Sequence, residues 1–346
     1  MLTNIVLGIT YSLLILYLSN KTLKFGLDEN LGIQKIHKAK SFRLGGTAIF
    51  LGLLTVIIIN PKIYINYTMP FFFIFIIFII GLVEDITRRL SPSKRLLMMI
   101  FFSALLVFFT DTKLNEVDLK EINYLLKLPF VAFIITVLGI SITSNAWNFI
   151  DGLNGLASGM AVVTLFSLSV IASQNNLIEV SNIMFSLGSI ILGFFFINLY
   201  TGEIFLGDGG SYAIGSFIAW FGLKMVNLEN LISAWSIFLV IIYPATEFSF
   251  SFIRRIIFRK SPAKADNYHL HSLLYKYFSS LKIYKSFHVN NSTCGLIMMV
   301  YGSIPAVTSV LIGNKFNFIL LSIIIFILSY VLLYIFLINK TRYKQL

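Results

Sequence analysis

Uncharged, almost wholly apolar runs of 16–20 residues recur along nearly all of this 346-residue chain, and few folds can accommodate them. Inside hydrocarbon such a run has no water to bond, so its backbone N–H and C=O groups must pair within a helix or around a closed barrel. Barrel strands alternate apolar and polar residues, whereas residues 70–80 (PFFFIFIIFII) are apolar throughout. The composition agrees, with 57% hydrophobic residues, 34 Phe and only 12% charged residues. The sequence therefore predicts an all-α polytopic membrane protein. Its lone cysteine, Cys294, rules out a disulfide framework. The first apolar run, residues 5–18, has neither a basic leader nor a small-residue cleavage site, so it is expected to be a retained span.

Eleven spans are drawn, at about 3–19, 45–60, 69–84, 95–110, 129–145, 155–173, 183–199, 211–226, 231–250, 293–313 and 317–338. The sparse charges segregate across them. With the N-terminus outside, the odd-numbered loops and the C-terminal tail carry 21 of the 27 Lys and Arg residues, and the opposite side carries 6. The 15 acids divide nine inside and six outside, which leaves the inner face at +12 and the outer face near zero. By the positive-inside rule the richer side is cytoplasmic, and so is the C-terminus. The chain reads as one domain, 1–346, with cytoplasmic loops at 20–44, 85–94, 146–154, 200–210 and 251–292.

Two segments outside the spans have a pattern of their own. The outer loop 111–128 mixes signs, from Asp111 and Lys113 to Glu121 and Lys127, as a solvated external helix would. In the last inner loop, Leu270, Leu273, Leu274, Tyr277, Phe278 and Leu281 form one apolar stripe at helical spacing. Beside a bilayer such an amphipathic helix is expected to lie in the interface, the alternative being a helix packed on the other loops. No internal repeat of the kind found in inverted-repeat transporters is visible.

Four polar clusters stand at span ends, all on the inner side. The first runs from Gly81 to Glu84 and Asp85, followed by Arg88, Arg89, Lys94 and Arg95. Adjacent carboxylates with cations a turn or two beyond suit a phosphate and a divalent metal together; the plainer reading is a span end flanked by surface charge. The second holds Asn145, Asn148, Asp151, Gly152, Asn154 and Gly155 within eleven residues. On a helix Asn145 and Asn148 share a face, and the glycines allow a tight turn with N–H groups aimed at a ligand. Polarity of this density near a membrane is unfavourable unless it is paired or coordinates something. The third, Phe205 to Ser211, sets Asp208 among Gly207, Gly209 and Gly210 at the start of a span. It suits a metal-bound diphosphate at a helix N-terminus, and it lacks the lysine of a P-loop. The fourth, Asp266 to Ser272, contains His269 and His271. With hard carboxylates dominating and no further soft ligand nearby, phosphate binding or positioning is favoured over zinc.

In this order and on this side, the clusters resemble the polyprenyl-phosphate N-acetylhexosamine-1-phosphate transferases (undecaprenyl-phosphate GlcNAc-1-phosphate transferase-like, glycosyltransferase family 4). The likeness covers nearly the whole chain and extends to His37 and to Arg43, Leu44, Gly45 and Gly46 before the second span. It implies that Glu84 and Asp85 stand at the family's Asp-Asp pair near the polyprenyl phosphate, and that Asn148 and Asp208 ligate Mg²⁺, with Mn²⁺ as a substitute. Asp85, Glu84, Asp151 and Asp208 form the implied catalytic set. Asn154 matches a uracil contact and Phe205 a residue packed near it. His269 and His271 match a loop that helps hold the sugar nucleotide; Asn145, Arg88, Lys94 and Arg95 complete the substrate-binding candidates. Glu84 in place of Asp, Asn154 in place of a frequent Asp, and Ser272 in place of a third His are departures that bear on the donor sugar. They fit an O-antigen-type branch using UDP-GlcNAc or a related UDP-N-acetylhexosamine.

The expected reaction transfers an N-acetylhexosamine 1-phosphate to undecaprenyl phosphate at the cytoplasmic face of a bacterial inner membrane and releases UMP. Its partners are the UDP-sugar, the polyprenyl phosphate and membrane lipid, with no nucleic acid and with a homodimer allowed. A basic inner surface would concentrate both anionic substrates. The rival class is a transporter of lipid or sugar nucleotide, which would place ionisable groups near the midplane rather than at span ends. A membrane scaffold would not need Asn148, Asp151 and Asp208 where they are.

Overall fold

Prolines fall in the first turn of three helices, at Pro61, Pro92 and Pro129, where a missing N–H breaks no bond. Ser91 adds a side-chain cap by accepting the Lys94 N–H. The computed structural model describes residues 1–21, 27–28, 41–228, 232–259, 267–284 and 286–342. Over these residues the helices are α1 (Leu2–Lys21), α2 (Gly45–Ile59), α3 (Pro61–Tyr64), α4 (Thr68–Thr87), α5 (Pro92–Thr110), α6 (Lys120–Leu126), α7 (Pro129–Ile150) and α8 (Leu156–Gln174). There follow α9 (Ile178–Thr201), α10 (Gly207–Leu228), α11 (Ala234–Val240), α12 (Ile242–Ile257), α13 (Leu270–Leu281), α14 (Phe287–Ile312) and α15 (Phe316–Arg342). A two-stranded antiparallel ribbon joins β1 (Leu27–Asp28) to β2 (Ser41–Phe42).

Among the described residues, eight helical segments are long and apolar enough to cross a membrane, and the bent pair α11–α12 would make a ninth. The expected spans 45–60 and 211–226 are also helical, as the 15-residue α2 and the 22-residue α10 with its glycine-rich first turn. The α8 segment is the most enclosed, 78% buried, against 22% for α1 and α5. Outward faces of the peripheral helices carry Leu97, Phe101, Phe108 and Leu332, all more than half exposed. In water such a surface would drive association; against acyl chains it is matched. Inside, hydroxyls link helices, as Ser144 to Ser216 at 2.7 Å and Ser236 to Ser309 at 2.7 Å.

α10 packs against α4, α7 and α2, and two glycine pairs set how closely it does so. A Cβ on Gly81 would lie 2.5 Å from the Cα of Gly209, and one on Gly46 would lie 2.5 Å from the Cα of Gly210. Backbone therefore meets backbone on two sides of the first turn of α10.

Several expected boundaries move. α4 continues through Glu84 and Asp85 to Thr87, α7 through Asn145 and Asn148 to Ile150, and α10 starts at Gly207. The span expected at 231–250 is instead two helices meeting at 77°, and the second runs on to Ile257. Only Lys120–Leu126 of the expected outer helix is helical. The amphipathic helix forms as α13, and the first half of its stripe faces protein while Leu281 at its end is exposed. Leu270, Leu273 and Leu274 are buried, Tyr277 and Phe278 pack on the main core, and α13 lies on α14 and α15.

Candidate active site

The site is assembled around the first turn of α10. The chain entering α2 runs beside the chain entering α10. The Phe42 N–H donates to Glu203 O, the Phe205 N–H to Phe42 O and the Gly45 N–H to Phe205 O, each at 2.8 Å, and the Gly46 N–H donates to Leu206 O at 3.0 Å. This ladder delivers Arg43 to the α10 N-terminus, where its guanidinium lies 3.7 Å from Asp208 Oδ1 and 3.9 Å from Asp85 Oδ1. It also buries Phe205, placing its backbone in the ladder and against Gly45.

Three carboxylates surround that turn. Asp85, from the last turn of α4, accepts the N–H groups of Asp208 and Gly209, one on each oxygen, both at 2.9 Å. Asp151, from the turn after α7, accepts the Gly207 N–H at 3.1 Å. Three of the N–H groups that a helix start leaves unpaired are thus capped by carboxylates of other helices, a favourable place for negative charge. Burial pushes the Asp151 carboxyl up to about 7, with Arg43 and the Gly207 N–H pulling the other way.

Asp208 itself points away from its own backbone and is met by four donors. Asn148 Nδ2 donates to Oδ1 at 2.8 Å, Tyr212 OH to Oδ2 at 3.3 Å, Arg95 forms an ion pair with Oδ2, and Arg43 stands near Oδ1. Asn148 and Asp208, 60 residues apart and set side by side by the family resemblance, are brought together. Asn145 is not: its amide donates to Ser141 O within α7.

The first cluster divides. Residues adjacent on a helix diverge by about 100°, so Asp85 faces α10 while Glu84 faces the α4–α5 turn, where it accepts the Leu90 N–H at 2.8 Å. Arg88 and Lys94 are exposed, and of this group Arg95 reaches the carboxylates. Glu84 thus holds a turn, and its charge acts on the Arg95 guanidinium that pairs with Asp208.

Asn154 is buried and turned toward α14. Its N–H donates to Asn291 Oδ1 at 2.8 Å and its amide to Ser292 Oγ at 3.1 Å, leaving its own Oδ1 without a partner. At the start of α13, His269 Nδ1 lies 2.9 Å from Glu247 Oε1, and the His271 ring stacks on His269 at 5.5 Å. His271 abuts the 151–155 turn, since a Cβ on Gly152 would lie 2.5 Å from its Nε2. Burial holds the His271 imidazole down to about 4. The expected site residues His37 and Asp266 lie outside the described residues.

Residues 67–226 match the profile of glycosyl transferase family 4. The chain is 29% identical to the probable undecaprenyl-phosphate N-acetylglucosaminyl 1-phosphate transferase of Bacillus subtilis, across 73% of this chain and 70% of that one. It is 28% identical to the undecaprenyl-phosphate alpha-N-acetylglucosaminyl 1-phosphate transferase of Thermotoga maritima, across 75% and 77%. A phospho-N-acetylmuramoyl-pentapeptide-transferase of Clostridium beijerinckii is 27% identical across 69% and 78%. With these relatives and its apolar helices, the chain is a multi-pass membrane protein. The family 4 segment contains Asp85, Arg95, Asn148, Asp151 and Asp208; Arg43, His269 and His271 join the site from outside it.

If a divalent cation is bound here, the donors present fit a hard one. Among the described residues no three of His, Cys, Asp and Glu form a ready-made cage. Mg²⁺ asks for less: one or two protein oxygens, the remainder being water and phosphate. The Asp208 carboxylate and the Asn148 amide are such donors, while the imidazole Nδ1 of His269 is committed to Glu247.

Sequence reasoning missed four residues of the surroundings. Tyr212 is one helical turn after Asp208. Glu247 and Tyr330, bonded at 3.0 Å, lie in stretches read only as spans, although a carboxylate inside an apolar run is itself a signal. Asn198 Oδ1 accepts the Gly155 N–H at 2.7 Å and its Nδ2 donates to Ile204 O at 2.6 Å, tying α9 to both approach segments. An Asn near the end of an apolar span gave no local hint of that.

Proposed function

We propose that this protein transfers an N-acetylhexosamine 1-phosphate from a UDP-sugar to undecaprenyl phosphate. An oxygen of the lipid phosphate attacks the β-phosphorus, the bond from that phosphorus to the bridging oxygen breaks, and UMP leaves with the bond's electron pair. The reading rests on one observation: Asp208 is held at a helix N-terminus between Arg43, Arg95 and Asn148, with Asp85 and Asp151 beneath it. Phosphoryl transfer needs positioning and charge neutralisation more than covalent help from the protein, and this cluster offers both. The names of the relatives support undecaprenyl phosphate as acceptor and an N-acetylated amino sugar as the group moved.

The residues divide the work. Arg43 and Arg95 bind phosphate oxygens and offset the charge that develops between donor and acceptor. Asp208 and Asn148 would hold Mg²⁺, or Mn²⁺ in its place, which when bound neutralises the diphosphate. Asp85 and Asp151 fix the first turn of α10 so that Asp208 stays in register. The acceptor phosphate is already ionised at neutral pH, so no strong general base is required. His269 and His271 close the donor side, and Asn154 reads the uracil edge through its unpaired Oδ1.

The site lies on the cytoplasmic face in this account, with eleven crossings and the N-terminus outside, and UDP-GlcNAc or a related UDP-N-acetyl sugar is the donor of an O-antigen-type pathway. Periplasmic reporters fused after Lys62 or Glu179 should then be active, and those after Arg89 or Lys264 silent. Purified protein given undecaprenyl phosphate, Mg²⁺ and a panel of UDP-sugars should release UMP with at least one of them. UMP release that is independent of the lipid phosphate would refute the reading.

A further inference from the structure

Glu247 is a carboxylate in the middle of a broken apolar span, and it is 1% exposed. A buried charge in such a place needs partners, and it has three. Oε1 faces His269 Nδ1 at 2.9 Å and accepts the Leu270 N–H at 3.2 Å; Oε2 accepts the Tyr330 hydroxyl at 3.0 Å. The three come from the start of α13 and from α15, so one carboxylate on α12 pins the loop end that carries His269. An acceptor-only group opposite Nδ1 also dictates where the imidazole proton sits. Nδ1 must carry the hydrogen, which leaves Nε2 as the nitrogen available to another partner.

The neighbours of His269 connect this pair to the candidate site. Phe149, the residue after Asn148, meets the His269 ring edge-on at 5.4 Å and 88°. On another side His271 lies parallel to it, 5.5 Å away and 8° from coplanar, with its own Nε2 against Gly152, the residue after Asp151. The His269 ring is therefore locked in rotation by aromatic contacts and in protonation by Glu247, beside the two segments that supply Asn148 and Asp151. Rigid tautomer and ring orientation are what a histidine needs in order for its bare Nε2 to accept a hydrogen bond from a sugar or ribose hydroxyl repeatedly in one geometry.

We infer that Glu247 is a positioning residue: it fixes the His269 proton on Nδ1 and presents Nε2 as an acceptor to a hydroxyl of the sugar-nucleotide donor. The inference rests on the transferase reading above and extends it to a residue outside the family 4 segment. It separates Glu247 from a merely structural buried acid, because a structural role requires only the Leu270 and Tyr330 bonds. Glu247→Gln keeps an acceptor oxygen for both the Leu270 N–H and His269 Nδ1 and can donate to Tyr330, so it is the conservative variant, whereas Glu247→Leu leaves nothing opposite Nδ1 to dictate the tautomer.

The test combines ¹⁵N-imidazole NMR with kinetics on the full-length protein in detergent. The chain has 4 histidines, so the His269 signals are assigned from a His269→Asn sample. In the wild type, His269 should show a protonated Nδ1, and its Nε2 resonance should move when UDP-GlcNAc and Mg²⁺ are added. In Glu247→Leu the fixed Nδ1–H signature should be lost and the donor KM should rise about 10- to 100-fold, with kcat within about threefold of wild type, and Glu247→Gln should restore both the signature and the KM. A wild-type enzyme that releases UMP while its His269 Nε2 stays unmoved overturns the inference and leaves the transferase reading intact. An unchanged donor KM in Glu247→Leu does the same. A wild type that releases no UMP with any UDP-sugar overturns the reading itself and the inference with it.

Discussion

Asp85 caps the helix that carries Asp208: its two carboxylate oxygens accept the backbone N–H groups of Asp208 and Gly209, each at 2.9 Å, across 123 residues or more of sequence. The contact makes Asp85 a structural anchor of α10 as well as a charge in the site. Asp85→Asn must turn an NH₂ group toward one of those N–H donors, leaving a buried donor unpaired at about 1–3 kcal/mol. We expect a lower thermal midpoint in detergent together with reduced turnover. Unchanged thermal stability would mean that the α10 start does not depend on this cap.

Asp208 carries the central charge and receives donors from α5 and α7 and from its own helix. Asp208→Asn should insert and purify normally, because Asn retains an acceptor, yet lose about 10³-fold or more in kcat. EDTA should silence the wild type to a similar degree, and Mg²⁺ or Mn²⁺ should restore it. Turnover by Asp208→Asn within tenfold of wild type would remove Asp208 from the proposed metal site.

Close approach at the α10 start predicts a steric contrast between two span glycines. Alanine at Gly81 places a methyl 2.5 Å from the Gly209 Cα, against backbone that cannot yield, whereas Gly139 has nothing within 4 Å of its added Cβ. Gly81→Ala should lower the yield of monodisperse protein and its thermal midpoint, by about 1–3 kcal/mol of overpacking strain, while Gly139→Ala should be indistinguishable from wild type. Equal behaviour of the two variants would contradict the packing described for α4 and α10.

Burial of His271 links stability to pH. Its folded imidazole titrates near 4 against an ordinary value of 6.5, so between those values the unfolded chain binds a proton that the folded protein does not. That contribution is fully present above about 6.5, is lost as pH falls toward 4, and amounts to about 3 kcal/mol at most. Asp151, raised to about 7, slopes the opposite way: its contribution is present below about 4 and is lost as pH rises through 7. The two are separable by difference. His271→Gln should flatten the loss of thermal midpoint between pH 6.5 and 4.5 relative to wild type, and Asp151→Asn should gain on wild type as pH rises from 4 to 7. Parallel pH curves for His271→Gln and wild type would show that His271 is not buried in its neutral form.

How much of this was legible in the chain depends on how far apart the interacting parts lie. Apolar runs gave the helices, because hydrocarbon leaves a backbone no other choice, and the glycines around Asp208 marked a helix start. Asn148 was legible as well, since it stands with Asn145, Asp151 and Asn154 in a polar cluster too dense to be idle beside a membrane. Arg43 reaches the site through pairing between residues 42–46 and 203–206, a long-range ladder with no local signature. Glu84 and Asp85 were read as a pair because the span was ended too early; once α4 is carried to Thr87, helical geometry alone sends them to different faces. The break at Ile241 had a signal in Pro244, whose missing N–H leaves the Val240 carbonyl without its helical partner. The stripe on α13 was correctly seen, but an apolar face looks the same whether protein or lipid covers it.

The account stands most directly on where the β-phosphate of the donor goes. Purified protein in detergent with undecaprenyl phosphate, Mg²⁺ and UDP-GlcNAc, or whichever UDP-sugar of the panel is turned over, would be supplied with donor labelled with ³²P at the β position. The label should move into the lipid fraction in step with UMP release, and Asp208→Asn should move none. Label that stays in the aqueous phase as UDP while sugar enters the lipid would show transfer of sugar without its phosphate, and would contradict the assignment of this site to sugar-1-phosphate transfer.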